Sequence, residues 1–150
     1  MTVRVQEADF DIGAELAALT AGNHRIGGLG VFVGLVRDVA GGDAVAGMTL
    51  EHYPGMTERQ LESIEAEARA RWPLEASLIV HRVGRLEPGD NIVLVACASA
   101  HRQAALDATA FLIDWLKTRA PFWKLEETGD GERWVDARES DDAAAARWGA

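Results

Sequence analysis

The chain has 150 residues, 48% of them apolar and 26% charged, with a formal net charge of −9. That length suits one domain, residues 1–150, with a core able to fold without staples, and no apolar run approaches the ~18 residues of a membrane span. The acidic balance argues against general nucleic-acid binding, which relies on many Lys and Arg contacts to phosphate.

The N-terminus, MTVRVQEADFDIGAEL, shows no basic region followed by an apolar stretch, so no secretory signal is expected. A first helix is predicted over Asp11–Ala21, stopped by Gly22. Gly27–Arg37 (GGLGVFVGLVR) reads as a Gly-rich strand, AGGDA as a turn, and Val45–Tyr53 as the returning strand. Thr57 is the expected cap of a helix through Trp72: Leu61, Ile64, Ala68 and Trp72 recur at helical spacing, with Glu58, Glu62, Glu65 and Glu67 facing water. Pro73 breaks that helix. Leu78–Val83 is a strand, Glu87–Asp90 (EPGD) a turn, and Asn91–Ala98 a buried strand holding Cys97. A lone cysteine excludes a disulfide framework or a multi-cysteine metal site within one chain, reads as a buried inert thiol, and places the protein in the cytoplasm. Ser99 is the expected cap of a helix over His101–Arg119, ended by Pro121. Phe122–Glu126 and Arg133–Val135 form short strands around Gly129-Asp130-Gly131, and a surface helix follows from Ser140. Hairpin signals without a strict βαβ rhythm make the fold class α+β.

Charge is spread unevenly. From His81 to Lys124 there are six Lys/Arg and four Asp/Glu, a net of +2, against −11 for the remainder. This points to a local anion site or to chance clustering. The chain has thirteen arginines but only two lysines, Lys117 and Lys124, both in DWLKTRAPFWK. An amine can become a neutral nucleophile or proton shuttle, whereas guanidinium stays protonated, so scarce lysines suggest chemistry. Placed close together, two ammonium groups also make each other easier to deprotonate. The alternative is two solvated cations, one favoured near a helix C-terminus. Ser99-Ala-His101-Arg102 puts cations beside the free N–H groups of a helix start, a recipe for phosphate; the alternative is an exposed first turn. Arg37 ends an apolar strand, either facing a cleft or simply solvated. His81-Arg82-Val-Gly84 either marks a site or, as the end of an apolar strand favours, holds His81 as a packed structural histidine, and His24 and His52 show no metal-ligand spacing. Trp72, Trp115 and Trp123 read as core or interface residues, with Trp123 also able to stack on a ring-shaped ligand.

GVFVGLVRD (30–38), LEHYPGM (50–56), HRVGRLEPGD (81–90), SAHR (99–102), DWLKTRAPFWKLE (114–126) and GERWVDARES (131–140), in this order and spacing, resemble the molybdopterin synthase catalytic (large) subunit family. The resemblance covers nearly the whole chain and implies an α/β-hammerhead-type fold with mostly antiparallel strands and a small C-terminal strand pair. It implies a sulfurtransferase of molybdenum-cofactor biosynthesis, in which cyclic pyranopterin monophosphate gains two dithiolene sulfurs and becomes molybdopterin. The partner it implies is a ubiquitin-like small subunit whose C-terminal Gly-Gly ends in a thiocarboxylate, in a heterotetramer built on a homodimer of large subunits. No metal or other cofactor is implied. Positions matching the family's site are Arg37, His101, Arg102, Lys117 and Lys124, with Leu35, Val36, Leu125 and Glu126 beside them and Arg138 in a site-lining segment. Lys117 is the first choice for the catalytic amine and Lys124 the second. Leu125 stands where the family often carries a second basic residue.

Two other readings compete: a non-catalytic module that docks a partner's tail, and a phosphate-ester hydrolase with His101 as general base. Helix geometry adds one expectation. His101 and Lys117 lie sixteen residues apart, about 24 Å along a helix axis at ~1.5 Å per residue. One phosphate cannot bridge that gap. If both serve one site, the His101-Arg102 end comes from a second chain related by a two-fold axis.

Overall fold

The computed structural model describes residues 2–40, 43–129, 131–135 and 139–149. In chain order its elements are β1 (Thr2–Gln6), α1 (Ile12–Thr20), β2 (Gly28–Leu35), β3 (Val39–Ala40), β4 (Asp43–His52), α2 (Met56–Arg71) and β5 (Leu74–Arg82). Then follow β6 (Gly84–Leu86), β7 (Asn91–Ser99), α3 (Arg102–Arg119), β8 (Phe122–Thr128), β9 (Gly131–Val135) and α4 (Glu139–Ala146). The class is α+β, as expected, with two sheets. The first has the order β1-β5-β7-β2, with β1 parallel to β5 and the other pairs antiparallel. The second has the order β3-β4-β8-β9, with β6 also paired to β4, and is antiparallel throughout. No helix among the described residues is long and apolar enough to cross a membrane.

The first sheet is covered on both faces, which explains why β7 (NIVLVACAS) is an apolar run rather than an alternating strand. Val93, Val95 and Cys97 pack with Leu61, Ala108, Phe111 and Leu112 of α2 and α3. Leu94 and Ala96 face the other way and meet Phe10, Leu16 and Leu19 at α1. That helix starts as the sequence predicts: the Asp11 carboxylate accepts from the Ala14 N–H at 2.9 Å. Cys97 is fully buried, and burial pushes its thiol up to about 11, which keeps it unreactive.

Several details depart from the sequence reading. β2 and β4 are not a hairpin. β2 pairs with β7 across the first sheet, β4 pairs with β8 in the second, and only the two-residue β3 turns back onto β4. The reason lies in the glycines of β2. A Cβ at Gly30 would sit 2.5 Å from the Ala105 carbonyl oxygen and 2.6 Å from Thr109 Oγ1, so this strand is built to lie under α3. After Leu35 the chain crosses to the second sheet through Val36, whose N–H donates to the Asp90 carbonyl at 2.9 Å. Val36 then packs with Met48, Leu50 and Leu86.

Thr57 is not a cap but lies buried inside α2, its hydroxyl donating to the Tyr53 carbonyl at 2.8 Å, while Glu58 reaches back to the Gly55 N–H at 3.2 Å. Ser99 ends β7, and His101 is the N-cap of α3, although Ser99 Oγ still accepts from the His101 N–H at 3.2 Å. Glu65 does not face water. It falls within the buried stripe of Leu61, Ile64 and Ala68, 3.4 Å from Arg69 Nε, and burial raises its carboxyl above the usual range. Strands β1, β3 and β6 have no counterpart in the sequence reading.

Candidate active site

Where the two sheets and the end of α3 meet, a cleft of about 530 Å³ opens. Its cations arrive from three elements. Arg37 follows β2, Lys117 stands exposed in the last turn of α3, and Lys124 comes from β8. Strand alternation decides which part of β8 faces the cleft: Phe122, Lys124 and Glu126 line it, and Trp123 and Leu125 point to the opposite face. The sequence pair Lys117 and Lys124, split between a helix end and the next strand, is thus folded back into one space around Pro121.

The wall between the lysines and the floor is aromatic. His81 on β5 is 5% exposed and stacks on Phe122, ring centroids 3.8 Å apart and planes 14° from parallel. Its Nδ1–H donates to the Arg82 carbonyl oxygen at 2.7 Å. Burial pushes the ring's pKa down to about 4; the carbonyl bond opposes this, while Lys124, Lys117 and His52 add to it. His81 is therefore neutral in a cleft of three cations and two carboxylates, Glu126 and Asp141. Glu126, 9% exposed, lies 3.6 Å from Arg133 Nε. Among the described residues no group of three or more His, Cys, Asp and Glu could hold a metal ion.

The site residues named from sequence divide cleanly. Leu35, Val36, Arg37, Lys117, Lys124 and Glu126 share the cleft. Leu125 is adjacent in sequence but faces away, so a basic side chain there would not enter this cleft directly. His101 and Arg102 are exposed at the far end of α3, whose eighteen residues put them about 25 Å from the other end at ~1.5 Å per residue. Arg138 lies outside the described residues. Trp123, half-exposed, makes an edge-on contact with Tyr53 on the outer face and does not line the cleft. Sequence reasoning ranked His81 as a packed histidine ahead of a site residue; it is packed, and it lines the cleft as well. Its position at the end of an apolar run was the only signal, and that signal does not tell a core histidine from one lining a pocket.

Fold and cleft together define an α+β protein whose two lysines and one arginine converge on one cleft, with the carboxylates of Glu126 and Asp141 in the same lining. The comparisons with known proteins narrow this. The family model described as MoaE protein matches residues 5–119. A relative from Pseudomonas aeruginosa, the molybdopterin synthase catalytic subunit, is 62% identical over 148 residues, covering 99% of either chain. Among solved structures, the molybdopterin biosynthesis MoaE protein from Burkholderia ambifaria MC40-6 superposes with a TM-score of 0.85 at 60% identity, over 99% of this chain and 98% of that one. Molybdopterin synthase from Staphylococcus aureus gives 0.82 at 31% identity, over 89% and 96%. The chain belongs to the MoaE protein family.

Proposed function

We propose that this chain is the catalytic half of a sulfurtransferase that converts cyclic pyranopterin monophosphate to molybdopterin, taking both dithiolene sulfurs from the thiocarboxylated C-terminus of a ubiquitin-like small subunit. The observation that carries the reading is the convergence of both lysines of the chain with Arg37 in one cleft, in a member of a family whose relatives bear that name. A thiocarboxylate tail and a phosphorylated pterin are both anions, and an amine beside the tail can position it and move protons, which guanidinium cannot. Lys117 is assigned the catalytic role first, being the more exposed, and Lys124 the second. No cofactor enters the reading. One domain, residues 1–150, carries the reaction, and the cytoplasm is its setting.

The phosphate of the substrate is assigned to Arg37 together with His101 and Arg102 of a second copy. Three features support such a homodimer, on which a heterotetramer with two small subunits would be built. Strand β2 and helix α3 run in the same direction, from Gly28 beside Arg102 to Leu35 and Lys117 in the cleft. β2 is the edge strand of its sheet, an unpaired template by nature. Between the two ends this edge exposes apolar side chains on both faces of β2, Val31 on one and Phe32 on the other, with Leu35 and Leu106 of α3 exposed as well. Two copies apposed head to tail across this surface would bury it and bring each His101-Arg102 end to the other's cleft.

The test is direct. The purified protein, the thiocarboxylated small subunit and the cyclic pterin are mixed and assayed for molybdopterin. Product must appear, must be absent without the carrier, and must fall sharply in Lys117→Ala. A docking module would lose only partner affinity in that variant, and a hydrolase would turn over without the carrier. Turnover independent of the carrier refutes the proposal.

A further inference from the structure

We propose that His81 is a positioning residue for the substrate, its Nε2 accepting a hydrogen bond from a ring N–H of the bound pterin. The inference rests on the reading above, that a cyclic pterin phosphate occupies this cleft.

The ring's chemistry is fixed by its surroundings. The Arg82 carbonyl can only accept, so the proton of the neutral imidazole sits on Nδ1 and the lone pair on Nε2. Among the described residues Nε2 makes no hydrogen bond, although the side chain lines the cleft. The stack on Phe122 holds the ring plane, so the direction of that lone pair is set before any ligand arrives. The other cleft groups do the opposite job: Arg37, Lys117 and Lys124 only donate, and suit phosphate and thiocarboxylate oxygens or sulfur. A reduced pterin also carries several N–H donors, and each of these, once buried, needs an acceptor. Glu126 offers one but is shared with Arg133. Asp141 of α4 lines the cleft as well and is charged, so His81 is the acceptor with no charge to neutralise.

Its neutrality also decides against a base role. With a pKa pushed to about 4 by burial, by Lys117 on α3, by Lys124 on β8 and by His52 on β4, this imidazole is a weak proton acceptor at neutral pH. Its hydrogen-bond acceptor strength survives.

The experiment measures pterin affinity in the two-subunit complex assembled with the ordinary carboxylate form of the small subunit, which cannot turn over. His81→Phe keeps a ring on Phe122 and removes the acceptor. Its Kd for the cyclic pterin should rise about tenfold, the value of one neutral hydrogen bond, with affinity for the small subunit unchanged. His81→Gln, which can present an amide oxygen near the Nε2 position, should bring Kd back to within about threefold. His81→Met, unbranched and with only a weak thioether acceptor, should behave nearly like the Phe variant and serves if that one fails to fold. The pH dependence of turnover between 6 and 8.5 should be the same in wild type and His81→Gln. Unchanged pterin affinity in the Phe or Met variant overturns the proposal. So does loss of small-subunit affinity with pterin binding intact, which would mean that the acceptor serves the carrier's tail. A wild-type complex that binds no pterin removes the underlying reading itself, a result distinct from either.

Discussion

The two ends of α3 carry the same kind of residue in different surroundings. At the N-terminal end, His101 and Arg102 stand exposed, beside the backbone N–H groups that any helix start leaves without intrahelical acceptors. At the C-terminal end, Lys117 and Arg37 are exposed too, but they join the half-buried Lys124 and the buried His81 around one cleft. A cation in open water is screened and contributes little binding energy, whereas one at a partly dry wall contributes much more. The comparison teaches that one chain holds a site in two unequal parts. The C-terminal part is a formed cleft, and under the proposed function the N-terminal part, an exposed histidine and arginine at a helix start, joins a site only when a second copy closes over it.

The largest expected effect lies at the cleft end. Lys117→Ala should lower the single-turnover rate of molybdopterin formation by roughly 10²- to 10⁴-fold at saturating partner, the usual contribution of a positioned acid–base group. Lys117→Arg should keep most of the binding of both ligands and still lose most of the rate. Near-normal turnover in the Arg variant would show that position 117 supplies only charge, and would erase the chemical distinction between the ends.

Next comes the dryness of that end, read through His81. Its folded-state pKa lies below the value of an unfolded histidine, so the unfolded chain binds the extra proton first as pH falls. The stability this group protects is fully present above pH 6.5 and is lost between 6.5 and about 4. At ~1.4 kcal/mol per unit this loss is on the order of 3 kcal/mol. Denaturant titrations from pH 8 to 4 should show that decline in wild type and a much shallower one in His81→Phe. Equal declines would mean that the cleft wall is wetter than described. Glu65, whose pKa is raised, contributes in the opposite sense, its stabilisation being present below pH ~4.5 and lost as pH rises through its folded value, so the variant comparison matters more than the wild-type curve.

At the open end, Arg102→Ala should reduce kcat/KM for the pterin by roughly 10- to 100-fold, the loss of one charge-assisted hydrogen bond to phosphate. An unchanged value would remove this end from the site altogether.

The smallest effect concerns what joins the ends. Gly30→Ala places a methyl 2.5 Å from a backbone carbonyl of α3 and 2.6 Å from a buried hydroxyl, neither free to move far. Stability should fall by about 1–3 kcal/mol through overpacking, visible as a lower Tm. A Tm equal to wild type would mean that β2 and α3 are less tightly seated than the contact requires.

Much of this was legible in the sequence, for identifiable reasons. Helices α1, α2 and α3 and strand β7 announce themselves by breakers and apolar periodicity, although the caps of α2 and α3 fall at Gly55 and His101 rather than at Thr57 and Ser99, and the rarity of lysine singles out positions 117 and 124. What the sequence hid was long-range. Nothing local states that Gly30 must accommodate the Ala105 carbonyl, so the strand containing it was given the wrong partner. Glu65 looked solvated because a charged residue ordinarily is, yet it stands four residues after Leu61 on the buried stripe of α2. His81 looked structural because neighbours in the chain are apolar, while its chemistry comes from Phe122 and two lysines far away in sequence.

The central claim is that the two ends of α3 complete one another between chains. Subunit complementation tests it: an impaired Arg102→Ala protein is mixed with an impaired Lys117→Ala protein under conditions where subunits exchange, and molybdopterin formation with the thiocarboxylated carrier, at pterin well below KM, is compared with each parent alone. A mixed dimer has one site bearing both defects and one bearing neither. Random exchange of equal amounts makes about half the dimers mixed, so about a quarter of wild-type activity should return. Exchange confirmed by mass labelling, with no activity regained, would contradict the shared site.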